Sequence, residues 1–121
     1  MTTPIQNDAW LSLGRQKAKR SPKIRSALSS YESTCSYEAL LDLQMQLTRN
    51  CIGDASHLVH GIPHGTQQTL TYRLLKSSIE ARTQNLKLAL ETLPQIVIDA
   101  RNLKNNRAFC WGLCELSLIH I

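Results

Sequence analysis

The chain has 121 residues, an apolar share of 42%, an aromatic share of 5% and a formal net charge of +5. That length supports one small core, and with so few aromatics the core must rest on leucine, isoleucine, valine and alanine, which favours helices over sheets. No stretch approaches the roughly 18 apolar residues that span a bilayer, and no signal-peptide pattern opens the chain. Four cysteines without a secretory leader do not make a disulfide framework, so the expectation is a soluble cytoplasmic chain with reduced thiols.

In chain order, residues 7–19 predict a short helix capped by Asn7 or Asp8, with Trp10, Leu11 and Leu13 on its apolar side and Gly14 interrupting it. Ser21 ends it, because a residue before proline is pushed out of helical geometry. Pro22 suits the first position of a second short helix with Ile24, Leu28 and Tyr31 on one side, while Ser29 and Glu32 offer a competing capping box. A third helix spans 36–50: Ser36 caps it, Leu40, Leu43 and Leu47 fall at helical spacing with Leu41 beside them, and Glu38, Asp42 and Arg49 suit its dipole. Residues 50–65, NCIGDASHLVHGIPHG, hold three glycines and a proline and read as a loop.

From Thr66 the periodicity is strongest. Tyr72, Ile79, Leu86 and Leu93 recur every seven residues, with Leu75, Ala89 and Leu90 between them, which predicts one amphipathic helix over 66–93 paired antiparallel with the 36–50 helix. Pro94 then kinks that helix or opens another carrying Ile96, Val97, Ala100 and Leu103. Asn105 and Asn106 mark a stop, and RAFCWGLCE follows as a final apolar turn or helix. The fold class expected is all-α, a small bundle or helical hairpin of four to five helices. No internal repeat emerges.

Charge divides the chain differently. Residues 1–31 hold Arg15, Lys17, Lys19, Arg20, Lys23 and Arg25 against the single acid Asp8, whereas the remainder balances eight basic residues with eight acidic ones. The organisation expected is a basic N-terminal arm over 1–31 with short helices, ahead of a helical body over 32–115. Such a cluster attracts nucleic acid or another polyanion, and the same charges suit an anionic membrane surface. The plainer account is a solvated arm that keeps the protein dissolved. Trp10 has the chemistry to stack on a base, but anchoring the arm to the body is its simpler role. No C₂H₂ spacing, RNP aromatic pair or helix-turn-helix pattern adds base reading.

His57, His60 and His64 cluster locally, and with Cys110 and Cys114 at i, i+4 spacing they have the residue types of a mixed zinc site, Cys51 lying just upstream. Against that, the C-x₂-C hairpin is missing. Cys110 and Cys114 sit among Phe109, Trp111 and Leu113 and read as buried thiols, with the histidines in a polar loop. Cys51 and His57 supply the types for a thiolate and its base, but no phosphate loop, HExxH helix or G-x-S-x-G elbow accompanies them. The reading is a non-enzymatic accessory or interaction protein that contacts nucleic acid through the basic arm and takes no cofactor. Alternatives are a protein-binding or self-associating module using the Tyr72, Leu75, Ile79, Leu86, Leu90 and Leu93 face, or a metal-dependent or thiol enzyme fragment.

The last six residues, LSLIHI at 116–121, resemble the in-frame translation of a transposase adaptor used in preparing sequencing libraries. They are expected to be foreign to the protein, which would make residues 1–115 the front of a longer chain.

Overall fold

In the computed structural model residues 4–83 and 85–119 are described, apart from the side chains of residues 4–7 and of His64. Among them are seven α-helices, a 3-10 turn at His64–Thr66 and no strand. The chain divides into two compact units, Met1–Gly61 and Ile62–Ile121. The all-α expectation stands, but four to five helices was too few. No described helix is long and apolar enough to cross a membrane.

The first unit holds α1 (Pro4–Ala18), α2 (Pro22–Thr34), α3 (Tyr37–Asn50) and α4 (Ile52–His60). Helix α1 begins before Asn7 and Asp8, so neither caps it, and Gly14 lies inside it rather than breaking it. The reason is close packing: a Cβ on Gly14 would stand 3.2 Å from Leu43 Cδ1 and 3.5 Å from Leu28 Cδ1. Trp10, Leu13, Gly14 and Ala18 make the buried stripe of α1. Ser21 caps α2 by accepting from the Ile24 amide at 3.3 Å, with Pro22 in the first turn, as its sequence predicts. Ser29 and Glu32 lie within α2 and cap nothing. Ser36 accepts from the Ala39 amide at 3.2 Å and starts α3.

Helix α3 is the centre of this unit, with α1, α2 and α4 packed on it. Leu41, Leu43, Met45 and Leu47 are fully buried, more than one face of an amphipathic helix, because neighbours cover it from several sides. The loop expected over 50–65 is a correction. Cys51 alone separates α3 from α4, and Ala55 and Val59, four residues apart, bury one side of a short helix despite Gly53. The basic segment is thus carried by two helices whose apolar stripes enter the core, with Trp10 only 3% exposed.

The second unit holds α5 (Leu70–Arg82), α6 (Leu86–Asn102) and α7 (Asn106–Ile119). The single 66–93 helix is also corrected. Thr69 caps α5 at the Tyr72 amide, 3.2 Å, and the helix ends at Thr83, whose backbone is extended. Arg73 pairs with Asp99 and Ser77 with Thr92, a register that makes α5 and α6 an antiparallel hairpin. Periodicity survives a turn when both flanking helices are amphipathic, which is why seven-residue spacing concealed the break. Pro94 sits inside α6 rather than starting a helix.

Lys104 adopts a left-handed backbone, φ 57°, after α6, and Asn105 Oδ1 accepts from the Ala108 amide at 3.1 Å to begin α7. That helix packs on α6 and α5 and continues through residues 116–119. Within the first unit α3 is covered by α1, α2 and α4, and within the second α5 is covered by α6 and α7.

Candidate nucleic-acid interface

The short turn between α1 and α2 gathers the basic residues. Arg15 and Lys17 occupy the last turn of α1, Lys19 and Arg20 follow it, and Lys23 and Arg25 open α2. Two of them are partly neutralised: Arg15 pairs with Glu32 at 3.5 Å and Lys17 with Asp54 at 3.2 Å. Arg25 donates from Nε to the Ala18 carbonyl at 3.2 Å, which ties the α1 end to α2. Lys19, Arg20 and Lys23 are exposed and make no ion pair with a described residue.

Beside them lies an open groove of about 600 Å³, edged by Lys17, Arg20 and Lys23 and reaching Ile24, Asn50 and Cys51. The N-terminal end of α2 contributes partial positive charge here and the C-terminal end of α3 partial negative charge. The side chains therefore set the sign. Such a surface suits a phosphate backbone: several flexible ammonium and guanidinium groups, solvated and close together, with no base-reading element beside them. Trp10 is buried in the core and unavailable for stacking, so it serves as the anchor.

The other sequence candidates disperse. His57 and His60 lie exposed on α4, His60 hydrogen-bonding Ser56 at 3.5 Å, and the His64 side chain lies outside the described residues. Cys110 and Cys114 are exposed on α7, a correction to the reading of them as buried: Ala108, Gly112 and Glu115 hold the inward face of that helix. Among the described residues no group of three or more His, Cys, Asp or Glu side chains is placed to hold a metal. No described hydrogen bond joins Cys51 to His57.

The expected partner face also divides. Tyr72, Leu75, Ile79 and Leu93 are buried, whereas Leu86 is 43% and Leu90 36% exposed. What sequence reasoning missed is a buried polar cluster. Glu115, 1% exposed, accepts from Ser78 Oγ at 2.9 Å and from Arg82 Nη1 at 2.8 Å, and the same Arg82 nitrogen reaches the Ser78 carbonyl at 3.1 Å. A lone glutamate on the last helix carries no local signal that it will be buried.

Asp99 is held below the usual carboxylate range, first by its hydrogen bond from Arg73 and then by that from Gln95. Comparison with family models, with curated protein sequences and with solved structures finds no match for this chain.

Proposed function

We propose that this protein is a non-enzymatic interaction module whose α1–α2 surface contacts nucleic acid, or a polyanion of similar charge density, through Lys19, Arg20 and Lys23. The observation that supports this reading is the absence of described acidic partners for these three cations, next to a groove that two of them edge. Binding would be electrostatic and insensitive to base sequence, since phosphate contacts position a protein without reading bases.

The test is fluorescence anisotropy of a labelled DNA duplex with the full chain. Three phosphate contacts predict a slope of log affinity on log salt of roughly −2.7, or about a fortyfold loss between about 50 and 200 mM. Neutralising Lys19, Arg20 and Lys23 to alanine should flatten the slope and abolish binding at low salt. No binding at low salt, or an unchanged slope in the triple variant, would overturn the proposal.

A second reading, association with a protein partner or another copy, draws on Leu86 and Leu90 standing outside the core. Light scattering on a Leu86→Asp, Leu90→Asp variant separates the two, because these substitutions should dissociate a complex without altering the salt slope.

A further inference from the structure

Between α5 and α6, within the second unit, lies an open groove of about 490 Å³ whose lining includes Tyr72, Lys76, Glu80, Leu88, Glu91 and Ile96. It is an unusual mixture. Tyr72 and Ile96 are buried apolar surface, Leu88 is a partly exposed wall, and two carboxylates face the same space. Glu80 is only 8% exposed, and no described side chain hydrogen-bonds or ion-pairs with it, so its carboxylate oxygens are left to the solvent of the groove.

A carboxylate held largely inside the protein is costly, because burial removes part of the water from the charged form without replacing it. Burial accordingly raises the Glu80 pKa above its ordinary value, and the positive charge of Lys76 opposes that rise only in part. Arg73, which also lines the groove, is committed to Asp99 at 2.7 Å. Lys76 is thus the one lining cation outside a described ion pair, and it is exposed.

We propose that this groove binds a small organic ammonium, its charged head on Glu80 and Glu91 and its apolar body over Tyr72, Leu88 and Ile96. The ammonium supplies the charged donor that no described side chain gives Glu80, and the body covers Leu88, the exposed part of the apolar wall. A carboxylate ligand would meet two like charges in the same space. An uncharged ligand would offer at most a neutral donor, without the charge assistance an ammonium brings.

Nuclear magnetic resonance titration of the full ¹⁵N-labelled chain with phenethylammonium tests this, with 2-phenylethanol and phenylacetate as probes of the same body without the positive charge. The expected result is saturable shifts confined to α5 and α6, with both control probes at least tenfold weaker. Glu80→Gln should weaken phenethylammonium at least tenfold while the helical circular dichroism is kept. Lys76→Met should tighten it, since a competing cation is removed, and this arm decides the matter if Glu80→Gln fails to fold. Absence of saturable shifts, phenylacetate binding as well as the amine, or no tightening in Lys76→Met would overturn the proposal.

Discussion

The two units bury their helices by different means. In the first, the described buried polar residues are Gln44 and Thr48, the latter bonded to its own helix, and the core is otherwise apolar from Trp10 to Val59. In the second, Ser77, Ser78, Glu80 and Glu115 are all buried, and one ion pair holds α5 to α7. Yet the charges are almost evenly shared: seven basic and five acidic residues in the first unit, seven and four in the second. The difference lies in where charge sits. The described ion pairs of the first unit, Arg15–Glu32 and Lys17–Asp54, are at least partly exposed, where each contributes little, and the second unit places Arg82–Glu115 inside, where removing one partner costs the other its opposite charge.

That contrast can be broken most forcefully in the apolar core. Trp10→Ala should destabilise the first unit by about 3–5 kcal/mol, as expected for deleting a buried aromatic, read by amide hydrogen exchange of α1 to α3 in the full chain. An effect below about 1 kcal/mol would mean that the basic helices are not integral to that unit.

In the second unit, Arg82→Met should cost about 3 kcal/mol, because the buried Glu115 loses the Arg82 guanidinium. Replacing both, Arg82→Met with Glu115→Leu, should recover most of that loss in denaturant unfolding. A double variant no better than the single would show that the cluster is stabilising in itself rather than merely self-consistent.

The two buried helical glycines sharpen the comparison on a smaller scale. A Cβ at Gly112 would lie 2.8 Å from Val97 Cγ2, on a β-branched side chain with little rotamer freedom, so Gly112→Ala should lose about 1 kcal/mol despite alanine's better helix propensity. At Gly14 the nearest atom, 3.2 Å away, is the end of a leucine side chain. There the propensity gain should offset the crowding, leaving Gly14→Ala within about 0.5 kcal/mol of the parent.

The smallest effect is expected at Glu80. Its raised pKa means that the folded chain holds this proton more tightly than the unfolded chain. The carboxylate therefore weakens the fold progressively as pH rises from about 4.3, the ordinary glutamate value, through the raised folded value. Glu80→Gln should be more stable than the parent at neutral pH and equal to it in acid. Melting temperatures across that range check the sign; a deficit at neutral pH would mean that the carboxylate has a partner in solution.

Local chemistry alone determined the all-α class, the Ser21–Pro22 and Ser36 helix starts, the stop near Asn105 and the position of the basic cluster. Each depends on a residue's own backbone preference or on charges adjacent in the chain, and these act over one helical turn. Packing decided the rest. Helix α4 forms because Ala55 and Val59 find a core that outweighs Gly53, and the turn near Thr83 goes unseen because two amphipathic helices in sequence keep the same apolar rhythm.

Glu115 illustrates the limit most plainly, since its burial depends on Ser78 and Arg82, 37 and 33 residues away along the chain. The basic residues around the α1–α2 turn were legible because exposed charge needs no partner to be recognised. Which cations have no acidic partner among the described residues was not, because Glu32 and Asp54 reach Arg15 and Lys17 only once the helices have docked.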